Sequence, residues 1–212
     1  MSDAVGSVTV MSNSPLRAFV DESIAMRGEA QQEYLLCAAL IAEDACVDTR
    51  LSLRRLLKPG QVKWHWTDES GSRKREMIEA ISSLGSLNVI VTHLDAQRRK
   101  VDRYRRKCLE TLYRELASME VVDLTLESRS PAQDRQDVAH LTALRHAGLD
   151  PRLRIEHLRG GDESLLWIAD AVLGAVNAYA KGDRSYLEQL RSTVVFEART
   201  PDSLLPENDE GP

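Results

Sequence analysis

Two apolar runs, Leu16 to Val20 and Tyr34 to Ile41, stand early in the chain with a turn-rich stretch between them, and they constrain the fold more than any other feature. A gap this short, holding Gly28 and polar residues 29 to 32, returns the second run antiparallel to the first. After this pair the pattern changes. Strand-like segments at 87–94, 121–127 and 153–158 alternate with helix-like segments at about 96–119, 131–147 and 164–180, an order that sets the later strands parallel. Glu43 to Leu57 reads as a helix stopped by Lys58-Pro59-Gly60. Val62 to Trp66 reads as strand or loop, and Met77, Ile78 and Ile81 mark a helix after Asp68-Glu69-Ser70. The expected class is α/β, a mixed sheet flanked by helices, antiparallel at its start and parallel later.

A length of 212 residues suits one domain with a sizeable core. Residues 1–14 read as a flexible lead, 15–182 as the domain, and 183–212 as a C-terminal extension whose last part, with three prolines and four carboxylates from Thr200 on, reads as a disordered acidic tail. No apolar run approaches the ~20 residues that span a bilayer. The N-terminal stretch lacks a basic start and an apolar core, so no secretory signal is read there and a cytoplasmic location is the expectation. Cys37, Cys46 and Cys108 are odd in number and widely spaced, as reduced thiols are.

The net charge of -5 hides an asymmetry: between Arg50 and Lys107 stand 15 Lys/Arg against 6 Asp/Glu. A basic middle in an acidic chain is the electrostatic footprint expected for a phosphate backbone. Its densest part runs from Arg98, Arg99 and Lys100 to Lys107. The competing reading of that run is a solvated helix face.

Asp21 and Glu22 follow the first apolar run directly, where burial makes a carboxylate costly. Alternation sets Asp21 on the face of Phe19 and Arg17, and Glu22 on the face of Ala18 and Val20. Asp21 is thus the primary metal candidate and Glu22 an auxiliary acid. Glu127 closes a second strand. Asp170 lies within Leu165 to Val176, a helix apolar on nearly every side and therefore buried. Gly174, one turn on, is expected to admit close approach of the sheet beside Asp170. Alone, Asp170 reads equally as a buried acid satisfied by backbone or an arginine; with two strand-end carboxylates, the metal reading gains. Oxygen-only ligands suit Mg2+ or Mn2+ and phosphodiester chemistry.

Phe19-Val20-Asp21-Glu22-Ser23, Leu124 to Ser130 and Ile168 to Val176 together resemble the bacterial family called domain of unknown function 3800, over about Leu16 to Ala180. The resemblance implies a ribonuclease H-like fold, with Asp21, Glu127 and Asp170 at the positions of the acidic metal ligands. Two departures stand out. Ile24 replaces the usual glycine after Asp-Glu-Ser, and Glu127 replaces the usual aspartate.

Lys63-Trp64-His65-Trp66 combines charge, imidazole and aromatic surface, and Lys63 and His65 are candidates for nucleic-acid contact. Core packing is the stronger reading for the two indoles. Arg129 is read as a phosphate contact or as the neutraliser of Glu127, while Asp134 and Asp137 stand by as a fourth ligand or as ordinary helix-start acids. The two later Asp-Glu-Ser copies, at 68–70 and 162–164, are also read as helix starts. These observations converge on a metal-dependent nuclease acting on DNA or RNA. The alternative is a binding module for nucleic acid or a protein partner that kept the fold without catalysis.

Overall fold

In the computed structural model, which describes residues 14–96 and 101–205, the early apolar pair forms a long hairpin. Strand β1 (Leu16–Arg27) pairs antiparallel with β2 (Gln31–Ala42) along its whole length. Gly28 makes the turn at φ 63°, a left-handed backbone that glycine adopts without steric cost. β3 (Leu87–Asp95) lies antiparallel to β2, while β4 (Asp123–Glu127) joins β1 in parallel and β5 (Arg154–Leu158) joins β4 in parallel.

Helices α1 (Cys46–Arg54), α2 (Gly71–Ser83), α3 (Val101–Ser118), α4 (Pro131–His146), α5 (Leu166–Tyr179) and α6 (Ser185–Leu190) cover the sheet. Two apolar cores result, one on each face. Phe19, Leu35, Cys37 and Ile90 pack under α1, α2, α5 and α6, with Trp64 and Trp167 filling the widest gaps. Ala18, Val20, Leu36 and Val89 pack under α3 and α4. Every residue from Leu166 to Ala175 is buried, as an all-round apolar helix requires. Pro131 opens α4, and the Ser130 hydroxyl accepts the Gln133 N–H at 3.3 Å, a cap that relieves one of the unpaired first-turn donors.

Two expectations change, and the reading left open at Val62 to Trp66 is resolved. β1 does not end at Val20 but continues to Arg27, because β2 keeps pairing with it after β4 has stopped. Val62 to His65 is loop, leading into a short 3-10 turn at Trp66–Asp68. The domain also extends past 182. The segment Val194–Arg199 forms β6, parallel to β3, and completes a six-stranded sheet of order β5-β4-β1-β2-β3-β6. Residues after it are tied down as well: Thr200 N–H bonds Thr92 C=O, and Leu204 N–H bonds Leu94 C=O, both at 2.9 Å. The rest of the expected acidic tail, the flexible lead before Ser14, and Arg98, Arg99 and Lys100 lie outside the described residues. Cys37, Cys46 and Cys108 are buried free thiols. No helix among the described residues is long and apolar enough to cross a membrane.

Candidate functional site

The parallel pairing of β1 with β4 stops at Val20 opposite Leu126, so the next residues, Asp21 and Glu127, stand where the two strands part. Asp21 follows Phe19 onto the α5 face, where Asp170 projects from the middle of α5. The field of the cluster is legible at Asp21. Its buried carboxyl is pushed well above the usual carboxylate range, first by desolvation, then by the negative charges of Asp170 and Glu127. The Glu22 N–H, donated to Asp21 Oδ1 at 2.7 Å, and the Lys63 ammonium oppose the shift without reversing it. Asp170 and Glu127 therefore both lie within electrostatic range of Asp21.

The loop between α1 and α2 brings cations to this cluster. Lys63 Nζ pairs with Glu127 Oε1. Burial alone would lower the Lys63 ammonium, but the Glu127 hydrogen bond and charge, with Asp21 and Asp170 behind, hold it above its ordinary value. His65 Nδ1 lies 3.0 Å from Asp170 Oδ1, and the Trp66 N–H donates to Asp170 Oδ2 at 2.8 Å. Asp170 raises the His65 imidazole against the opposing effect of burial. Trp64 is fully buried, as expected of a core indole, and Trp66 packs edge-on against both Trp64 and Tyr186. Gly174 is needed for Trp66: a Cβ there would come within 2.1 Å of the indole ring. The close approach read from Gly174 is thus made by this loop rather than by the sheet.

Buried Glu69 closes the loop. It accepts Lys58 Nζ and Gln61 Nε2, each at 2.6 Å, with Arg73 at 3.5 Å. Burial would raise its carboxyl, yet these partners hold it below its usual range. The second Asp-Glu-Ser is therefore a loop clasp as well as a helix start. In the third, Glu163 makes a paired contact with Arg50 and accepts the Leu165 N–H at 3.0 Å.

Glu22 points to the other face, and there it meets Arg105 rather than a metal cluster. Arg105 Nε donates to Glu22 at 2.6 Å, and its two terminal nitrogens hold Asp137. Arg129 approaches Glu22 at 3.6 Å and Asp137 at 3.9 Å. It neutralises these two acids, not Glu127. His157 Nε2 lies 3.0 Å from Asp137. Burial would raise Asp137, but the His157 and Arg105 hydrogen bonds outweigh it and hold the carboxyl below its usual range.

Among the described residues, the group whose potential ligand atoms lie within 4.8 Å of one another is Asp134, Asp137 and His157. Its oxygens are already engaged. Asp137 is held by Arg105 and His157, and Asp134 accepts the Ser128 hydroxyl at 2.7 Å and the Arg129 N–H at 3.1 Å. Part of the basic middle is spent in the same way: Arg50, Lys58, Lys63, Arg73, Arg105 and Lys107 pair with carboxylates of the chain.

No protein-family model matches the chain, and no curated protein sequence matches it. Among solved structures, it is similar to a chain of the PCNA:RNase HII complex from Archaeoglobus fulgidus, with a TM-score of 0.44 and 16% identity over 84% of this chain and 77% of that one. It is also similar to Bst-RNase HIII in complex with Mn2+, with a TM-score of 0.40 and 12% identity over 84% of this chain and 54% of that one. The chain thus spans about half the length of that ribonuclease HIII. The six-stranded mixed sheet with helices on both faces agrees with the α/β class, a mixed sheet flanked by helices, expected from the sequence.

Proposed function

We propose that this protein is a divalent-metal-dependent nuclease, or a related phosphodiester-processing enzyme, of the ribonuclease H-like class, in keeping with its sequence resemblance to the domain of unknown function 3800 family. Asp21, Glu127 and Asp170 would hold Mg2+ or Mn2+. The observation that carries the reading is the charge deficit at Asp21: a buried carboxyl beside two more carboxylates, with one ammonium and one imidazole in return. Hard oxygen donors and unrelieved negative charge fit such an ion. When bound, it supplies Lewis-acid polarisation of a phosphoryl oxygen and a water of lowered pKa.

The chain's own residues do the rest. The Glu22 N–H fixes the Asp21 carboxylate, and the Trp66 N–H fixes Asp170. His65 is two-fifths exposed at the rim, with Nδ1 against Asp170, which leaves its Nε2 as the atom suited to hold or move a proton. Glu22 is left out of the ligand set, since Arg105 and Arg129 hold it on the opposite face. The nucleic acid would approach from the side of Lys63 and His65.

One observation favours the second reading, a binding module without catalysis: Glu127 is already satisfied by the Lys63 ammonium. Incubating the protein with single- and double-stranded DNA and RNA, in the presence of Mg2+ or Mn2+, separates the two. Cleavage that disappears in Asp21→Ala and Asp170→Ala supports the enzyme. Cleavage that survives both substitutions would sink it, and nucleic-acid binding with neither cleavage nor carboxylate-dependent metal binding favours the module.

A further inference from the structure

Lys63 is held at the acid cluster by contacts from several elements. Its loop is fastened at one end by the Glu69 clasp and in the middle by fully buried Trp64. Across from it, the Gly160 backbone forms the floor of the slot. A Cβ on Gly160 would come within 2.6 Å of Lys63 Cε and 2.8 Å of Glu127 Oε1, so the ends of both side chains lie directly against this backbone and would have to shift to admit a side chain there. Gly160 is fixed in turn, since its carbonyl accepts the Trp167 indole N–H at 2.6 Å. The Glu69 clasp, Trp64 and Gly160 thus hold one ammonium against Glu127.

We propose that Lys63 is a tethered cation that fills the charge deficit of the metal-free site and must withdraw from Glu127 for a divalent ion to bind, so that it sets the metal affinity of the site. This rests on the metal reading of Asp21, Glu127 and Asp170 given above. Two cations near one another repel, and a carboxylate oxygen engaged by an ammonium is withheld from a metal. The apo protein stays stable because the lysine is there; the ion binds less tightly for the same reason.

Mn2+ binding followed by calorimetry on the full chain tests this without reference to activity. Lys63→Met is expected to bind Mn2+ on the order of tenfold more tightly than wild type, by loss of a like charge at close range. Lys63→Arg keeps the charge and is expected to stay within about threefold. In the absence of metal, Lys63→Met is expected to melt at a lower temperature than wild type, with Mn2+ closing the gap. Should Lys63→Met fail to fold, Lys63→Gln, which keeps a hydrogen-bond donor toward Glu127, carries the same affinity expectation. Mn2+ affinity unchanged or weaker in the uncharged variants, with wild type binding normally, overturns the role of Lys63 and leaves the metal reading standing. Absence of Mn2+ binding in wild type and every variant overturns both.

Discussion

Asp21 and Glu22 are adjacent carboxylates on one strand, separated only by the thickness of the sheet. Their surroundings are opposite. On the face of Glu22, three carboxylates, Glu22, Asp134 and Asp137, meet two guanidiniums and an imidazole, and Asp137 is held below its ordinary range. On the face of Asp21, three carboxylates meet one ammonium and one imidazole, and Asp21 is pushed up. A balanced cluster holds helices to a sheet; an unbalanced one costs stability, and that cost needs another reason. The comparison teaches that the number of acids at a strand end says less than how fully they are paired.

The largest expected effect breaks the balanced side. Arg105→Ala takes from Glu22 and Asp137 the closer of the two guanidiniums they share and should lower stability by about 3 to 5 kcal/mol, since it breaks a buried ion pair on one side. Chemical denaturation checks this. Next, Gly174→Ala drives a methyl into Trp66 and should cost about 1 to 3 kcal/mol by overpacking. It should also loosen the loop that carries Lys63 and His65, visible as faster amide exchange at Trp66, whose N–H is bonded to Asp170.

On the unbalanced side the sign reverses. Asp21→Asn removes a buried charge that the fold disfavours, and should raise stability at neutral pH by about 1 to 2 kcal/mol. The pH dependence sharpens the contrast. Because the folded pKa of Asp21 is raised, the native state binds more protons there than the unfolded chain, so its contribution is full below about pH 4 and is lost as pH rises through the folded value. Asp137 is depressed, so its contribution is present above about pH 4 and is lost as pH falls through its folded value. Denaturation between about pH 4 and 7 should therefore show wild type losing ground to Asp21→Asn as pH rises. A gap that does not change with pH would contradict the assignment.

Much of this arrangement was legible before any coordinates. Period-two alternation separated Asp21 from Glu22, and an apolar helix carrying one acid placed Asp170 beside the sheet. What could not be read was pairing at long range. Lys63 reaches Glu127 64 positions away, and Trp66 reaches Asp170 across 104; loop residues carry no periodicity from which such contacts follow. Arg129 looked like the partner of Glu127 because it is two residues away, yet along a strand end that spacing does not fix which acid a long side chain meets. β6 is weakly marked in the sequence because Val194 to Arg199 is a short edge segment, with alternate residues exposed and without the apolar density of the central strands. The signal that was present is its Val-Val-Phe run, set after a short amphipathic helix.

Parallel Mn2+ titrations of Asp21→Asn and Glu22→Gln test the central claim most directly, each variant checked for folding by denaturation. Asp21→Asn is expected to lose Mn2+ binding while melting no lower than wild type, and Glu22→Gln to keep Mn2+ binding while losing stability. Equal loss of metal binding in both variants, or Mn2+ bound normally by Asp21→Asn, would contradict the division of the two faces.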